Sequence, residues 1–214
     1  MRRERTHLAI AVATAAVLWF YMFSPWTKGW PDFWLVMACS ATILTTLGLV
    51  FTPDRKALLK VERPALQVLA GVIIAFALWG VFWVGDKVSA WMFSFARGEV
   101  DLVYSMRQGI PSWVIAALLL LLIGPAEELF WRGYVQRTLS RTLGGKRPED
   151  KAFVITALVY ALVHVWSLNF MLIMAALVAG CVWGLIYRIR PGMLPALIVS
   201  HALWDVLVFI VLPI

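Results

Sequence analysis

The sequence predicts an all-α polytopic bundle of about seven transmembrane helices with interfacial amphipathic helices and a cytoplasmic N-terminus. Composition is the first reason. Of the 214 residues 62% are hydrophobic and only 14% charged, against about 25% charged in a soluble domain, so water is not the solvent for most of this surface. The twelve tryptophans are a second reason, because an indole suits the border between apolar core and wet headgroups. The third is the alternation of basic loops along the chain.

A membrane-crossing helix needs roughly 20 mostly apolar residues, within about 17 to 25. Runs of that kind fall near Leu8–Phe23, Phe33–Phe51, Ala65–Gly85, Ser112–Leu139, Ala152–Trp166, Phe170–Tyr187 and Met193–Leu212, the first and fifth being short. The basic start Met1-Arg-Arg-Glu-Arg-Thr-His7 resembles a signal peptide, but no small-residue cleavage site follows. Trp19, Phe20, Tyr21, Phe23 and Trp26 instead suggest an aromatic exit belt on a retained span.

Residues 86–109 mix Trp91, Phe93, Phe95 and Tyr104 with Arg97, Glu99, Asp101 and Arg107, which suits an amphipathic segment lying in the interface. Ala57–Arg63 is a shorter candidate of the same kind. With the N-terminus inside, fifteen of the nineteen Lys and Arg residues fall on the cytoplasmic side, Arg132 among them, and only Lys28, Lys87, Arg97 and Arg107 fall outside. That asymmetry is what the positive-inside rule requires. No repeat or linker interrupts the chain, so residues 1–214 read as one integral membrane domain with a catalytic core at about 112–212; Gly144–Asp150 is the clearest loop.

The net charge of +7 does not indicate nucleic acid, since a basic binding face needs a soluble surface to sit on. Cys39 and Cys181 lie in apolar runs without metal-ligand spacing and read as packing residues.

Three polar clusters interrupt the last four runs. In the first, Glu127 and Glu128 follow an aliphatic stretch, and Arg132 lies one turn beyond Glu128 on the same face, with Glu127 about 100° away. An ionised carboxylate at membrane depth is costly unless partnered. Arg132 can hold Glu128 and leave Glu127 available as a general base, although the same trio would also serve as an anchoring charge network. Pro125 cannot donate a backbone hydrogen bond, so a kink is expected there.

The second cluster puts Tyr160 and His164 on one helix face; a lone histidine there could equally bridge helices. In the third, His201 and Asp205 stand four apart, so that the carboxylate can orient the ring or merely bond to it. Taken together, the clusters could close on one cavity, where a water held by Glu127 and His164 faces donors on His201 and Asp205, as hydrolysis requires. Gly180-Cys-Val-Trp-Gly184 supplies a small-residue face for the close helix approach this needs.

The ordered set Glu127-Glu128-x-x-x-Arg132, Tyr160-x-x-x-His164 and His201-x-x-x-Asp205 resembles the CPBP family of intramembrane CAAX-type endopeptidases and bacteriocin-processing proteins, also called Abi, over about Ser112–Leu212. The resemblance implies that Glu127 activates the attacking water with help from His164. It further implies that Glu128 and Arg132 orient the site and that His201 with residue 205 stabilises the oxyanion. Tyr160 replaces the family's usual Phe, and Asp205 stands where many members have Asn. An ionised Asp cannot donate to an oxyanion, so Asp205 is either protonated or holds His201.

No cofactor is expected. A zinc-dependent alternative would draw on Glu127, His164, His201 and Asp205, but the spacing is not His-Glu-x-x-His on one helix.

The implied activity is a glutamate-dependent endopeptidase that cuts near the C-terminus of a membrane-associated or lipid-modified protein or peptide. The partners would be membrane lipids and that substrate, with no nucleic acid, in a prokaryotic plasma membrane. A non-catalytic bacteriocin-immunity or chaperone-like protein on the same frame is the alternative. A proton-coupled transporter is disfavoured, because two matching halves with paired broken helices are missing from the sequence.

Overall fold

The computed structural model describes residues 2–27 and 32–214. In chain order its helices are α1 (Arg2–Phe23), α2 (Phe33–Phe51), α3 (Arg55–Leu58), α4 (Pro64–Met92), α5 (Ala96–Ser105), α6 (Ser112–Thr142), α7 (Pro148–Ser167), α8 (Phe170–Ile189) and α9 (Pro191–Val211). All but α3 and α5 are long and apolar enough to cross a bilayer, and no strand occurs among the described residues. The chain is a multi-pass membrane protein whose outward faces are apolar, as at Leu35, Ile43, Ile73 and Val81. Buried polar groups gather inside the bundle instead.

Helix starts follow from local chemistry. The Asp32 carboxylate accepts from the backbone N–H groups of Trp34 (2.8 Å) and Leu35 (3.1 Å) and so caps α2. The Asn169 side-chain oxygen accepts from Leu172 at 2.8 Å and caps α8. Pro64 and Pro148 open α4 and α7, at the first helical position, where a missing N–H costs nothing.

Several expectations need correction. The third span runs to Met92 rather than Gly85, because Asp86 does not end it. That carboxylate is buried and paired with Arg97 at 2.6 Å and Lys87 at 3.0 Å, which removes the charge that would have forced the helix into water. The amphipathic segment is correspondingly shortened to α5. The short helix after the second span is Arg55–Leu58 rather than Ala57–Arg63.

Pro125 does not break α6. The two turns at Leu119–Ile123 and Leu129–Gln136 widen to π geometry around a short α segment, Gly124–Glu128, and the helix passes through. Wide turns close their hydrogen bonds five residues apart and are one way for a helix to absorb a local defect. A Cβ on Gly124 would lie 2.6 Å from the Ala202 Cα, so α6 and α9 touch backbone to backbone beside the glutamates.

Trp19 is not part of an exit belt. It is 1% exposed and continues the buried stripe Leu8, Ala11, Ala15, Trp19, Met22, whose three- and four-residue steps define the inner face of α1. Trp26 does face outward. Cys39 is exposed on the bundle surface and Cys181 half-buried, both free, so only Cys181 packs as expected.

The bundle has two unlike ends. At one, Arg5 donates to the Thr142 carbonyl (2.6 Å), Arg137 and Arg141 pair with Asp54, and Arg188 pairs with Asp150. At the other, α5 is tied to its neighbours by a different set of bonds. Asn169 donates to the Glu99 carbonyl and the Met171 N–H to the Glu99 carboxylate, both at 2.8 Å, and Arg107 donates to the Phe209 carbonyl at 2.6 Å. Arg132 belongs to neither end. It is buried in mid-span, so its place among the loop charges is withdrawn, while Lys28 lies outside the described residues.

Candidate active site

The fourth, fifth and seventh spans deliver the singled-out residues to one region. On α6, Glu128 Oε1 accepts from Arg132 at 2.7 Å, the i, i+4 pairing the spacing predicts, and both groups are buried. The same oxygen lies 2.8 Å from His201 Nδ1 on α9. Because a carboxylate oxygen accepts, His201 donates through Nδ1, and its Nε2 is left facing Asp205 Oδ1 at 3.7 Å, beyond hydrogen-bond range.

Flat groups stack behind this contact. The Arg132 guanidinium lies 5.0 Å from the Tyr160 ring and 5.5 Å from the Trp183 ring. Trp183 in turn stacks on His201 at 3.9 Å, its indole N–H bonded to Ser200 Oγ at 3.1 Å. Arg132, Glu128 and His201 are thereby fixed from several sides. A planar, weakly hydrated guanidinium is the cation best suited to such a dry, aromatic slot.

Glu127 faces the other way and accepts from the Tyr160 phenol at 2.8 Å. Tyr160, which stands where Phe is usual, therefore does more than fill space. Gly180 and Gly184 let α8 come close to α6 and α7: a Cβ at Gly180 would sit 3.0 Å from the Tyr160 ring, and one at Gly184 would be 3.0 Å from Phe153. The small-residue face read from the sequence is in use.

His164 terminates the regular part of α7 and begins the 3-10 turn His164–Ser167, rather than sitting within a helix. Its Nδ1 lies 2.7 Å from the Tyr160 carbonyl, so Nδ1 is the protonated nitrogen, and Nε2 accepts from the Trp19 indole at 3.1 Å. Both ring nitrogens are occupied. Trp19 was missed as a site neighbour because a lone tryptophan near a span end suits an interface equally well. The signal that finds it is the alanine stripe leading to it.

Glu127, Tyr160, His164, His201 and Asp205 all line one cavity of about 510 Å³. Its remaining walls are mostly Phe, Met, Val and Trp, with Asp86 and Tyr104 near α5. Burial pushes the Tyr104 phenol above its usual value near 10, and its oxygen bridges the Val208 carbonyl (2.9 Å) and the Ile214 N–H (3.0 Å). The cavity can admit an apolar chain, with a carboxylate, an imidazole edge and a second acid on its wall.

The four residues nominated for zinc do not form a ligand shell as placed. His164 has no free nitrogen, and among the described residues no group of three or more His, Cys, Asp or Glu is arranged to hold a metal ion.

Comparison with known proteins gives one match. Residues 109–207 match a protein-family model described as type II CAAX prenyl endopeptidase Rce1-like. No curated protein and no solved structure matches the chain. The matched stretch contains all three polar motifs and the helices that bring them together, so over residues 109–207 the chain is similar to that family.

Proposed function

We propose that the protein is an intramembrane endopeptidase that hydrolyses a peptide bond near the C-terminus of a membrane-associated or lipid-modified protein or peptide. The chain acts as one membrane domain with its catalytic core at about 112–212. The observation that carries this reading is the convergence of Glu127, His164, His201 and Asp205 from three spans onto a single cavity. The family of the matched segment supports a CAAX-type protease and, with it, a prenylated protein as the class of substrate.

Glu127 is the general base. It takes a proton from water as the hydroxide adds to the scissile carbonyl, and later returns it to the leaving amine. Among the described residues its hydrogen-bond partner is the Tyr160 phenol. Tyr160 holds the carboxylate in place.

His201 serves the opposite charge. With Nδ1 committed to Glu128, a proton on Nε2 makes the ring an imidazolium flanked by Glu128 and Asp205, and that N–H can donate to the oxyanion. A donor of this kind is commonly worth about 3 kcal/mol. Asp205 either steadies this imidazolium or donates as a neutral acid. His164 assists Glu127 only after its Nε2 is released from Trp19.

The test is cleavage of candidate prenylated or lipid-modified peptides by the full chain in proteoliposomes, comparing wild type, Glu127→Gln and His201→Ala with and without a chelator. Loss of cleavage in both variants and indifference to the chelator are expected. Full turnover by Glu127→Gln removes the base, and chelator-sensitive activity gives the site to a metal.

A further inference from the structure

We infer that the end of the bundle where Arg5, Arg137, Arg141 and Arg188 are bonded, the basic end, carries a docking surface for anionic phospholipid headgroups. The surface is built from the strap Arg55–Arg63 and the turn between α8 and α9. The inference needs only that the chain spans a bilayer, since both ends of such a bundle meet a headgroup layer. It rests neither on the proteolytic reading nor on which leaflet that end faces.

Charge separates the two ends. Fourteen Lys and Arg residues stand at the basic end against five acids, Glu4, Asp54, Glu62, Glu149 and Asp150. At the α5 end the described residues hold Lys87, Arg97 and Arg107 against Asp32, Asp86, Glu99 and Asp101. The excess at the basic end is not spread evenly. Asp54 is taken by Arg137 and Arg141, Glu62 by Lys60 and Asp150 by Arg188. Among the described residues no acid pairs with Arg55, Lys56, Arg63 or Arg190, and all four are exposed.

The fold gathers these four cations on one surface. Within the strap only Leu58 is buried, and it shares an apolar cluster with Tyr187 of α8 and Leu194 of α9. Gln67, in the first turn of α4, donates to the Gly192 carbonyl at 2.9 Å and accepts from the Ala196 N–H at 3.2 Å. The strap is therefore held, at Leu58 and again just past its end, against the turn that carries Arg188 and Arg190.

Apolar side chains alternate with the charges. Leu59 and Val61 flank Lys60 and are each 51% exposed, and Ile189, between Arg188 and Arg190, is 59% exposed. The surface then continues into the outward faces of α4 and α8 at Leu66, Leu69 and Leu185. A bilayer border satisfies both halves of this pattern: phosphates take the guanidinium and ammonium groups, while the aliphatic side chains sink beneath them. A soluble polyanion would pair with the cations and leave Leu59, Val61 and Ile189 in water.

The test counts lipids. The full chain is reconstituted in vesicles of phosphatidylcholine and phosphatidylglycerol at roughly three to one, extracted in mild detergent, and its retained lipids are measured by mass spectrometry. A Lys or Arg held at an anionic surface strengthens association roughly fivefold, so the wild type should retain phosphatidylglycerol at least about fivefold above its share of the vesicle. Arg55→Gln, Lys56→Gln and Arg63→Gln together should bring that excess to about twofold or less. Arg2→Gln, Arg3→Gln and Lys146→Gln together remove as much charge from the same end and should leave most of the excess. Equal losses in the two triple variants, or no excess in the wild type, overturn the inference.

Two further measurements guard against other readings. Leu59→Ser with Val61→Ser keeps every charge and should also lower the retained phosphatidylglycerol. Unchanged retention there, together with tRNA binding to the detergent-solubilised chain through the strap cations, would assign the surface to a soluble polyanion and overturn the inference. A ligand that binds the folded state stabilises it, so the wild type should unfold at a higher temperature in the mixed vesicles than in phosphatidylcholine alone. The strap variant should unfold at the same temperature in both, which separates lost docking from lost folding; a strap variant that still gains from phosphatidylglycerol also overturns the inference.

Discussion

Adjacent glutamates on α6 occupy opposite kinds of surroundings. Glu128 belongs to a packed wall, with Arg132 and His201 on one of its oxygens and Tyr160, Arg132, Trp183 and His201 stacked in sequence beside it. Glu127 belongs to a cavity wall and has a single phenol as partner. The step of about 100° between consecutive helical residues separates the two. One helix can thus pack one carboxylate away and leave its neighbour on a cavity wall, where the proposed chemistry needs a base.

Several substitutions test that contrast. The largest expected effect is on turnover: Glu127→Gln should lower cleavage at least a thousandfold, about 4 kcal/mol at the barrier, while the unfolding temperature in detergent stays near that of wild type. A thermal melt that collapses instead would mean Glu127 is structural like its neighbour.

Arg132→Met should do the reverse. It strands the buried Glu128 carboxylate, a change that typically costs about 3–5 kcal/mol, and thermal unfolding should report it even where activity is not assayed. An unchanged melt would remove the packed wall from the comparison.

Gly124→Ala tests the contact behind both glutamates. The new Cβ would press on Ala202 Cα, and overpacking of this kind costs about 1–3 kcal/mol. Gly98→Ala on exposed α5, where nothing lies within 4 Å, is the control and should melt like wild type.

Trp19→Phe keeps the ring but deletes the bond to His164, worth about 1 kcal/mol. Cleavage should rise through kcat with KM nearly unchanged, because Nε2 is freed to assist Glu127 while the Tyr160 carbonyl still holds the proton on Nδ1; a pure KM effect would argue that Trp19 touches substrate instead.

The smallest effect lies at the basic end. The Arg141 hydrogen bond, with Arg137 beside it, holds the Asp54 carboxyl below its ordinary value of 3.8. A depressed folded-state value stabilises above the unfolded one and is lost as pH falls through the folded one. Asp54→Asn should therefore cost a few tenths of a kcal/mol near neutral pH, as exposed pairs do, and the gap to wild type should close as pH drops below about 4. A gap that persists in acid would mean the asparagine disturbs packing.

Much of this was legible in the sequence, for reasons that differ by residue. Span number followed from run length, because bilayer thickness sets a ruler that few other constraints override. The Glu128–Arg132 pair followed from helical spacing, and the meeting of Glu127, His164 and His201 in one place followed from the cost of leaving such groups in lipid. Arg132 was counted as a loop charge because its distance from the helix end looked short, and only the aromatic slot that receives it makes mid-span burial tolerable. The length of α4 was underestimated at Asp86, whose partner Arg97 lies eleven residues on and in another helix. The bond from Trp19 to His164 joins residues 145 positions apart, and no local pattern encodes it.

The widened turns of α6 have one further consequence. Each is slack in the thread: deleting a residue such as Leu121 would let that turn tighten to ordinary α pitch with its hydrogen bonding intact. The flanking α segments would keep nearly their present phase, because the wide turn is where the extra residue is stored, whereas the same deletion in an ordinary α turn would swivel one side by about 100°. Leu121 is thus expendable to the aim of Glu127, while a deletion within Gly124–Glu128 would carry that carboxylate off the cavity wall.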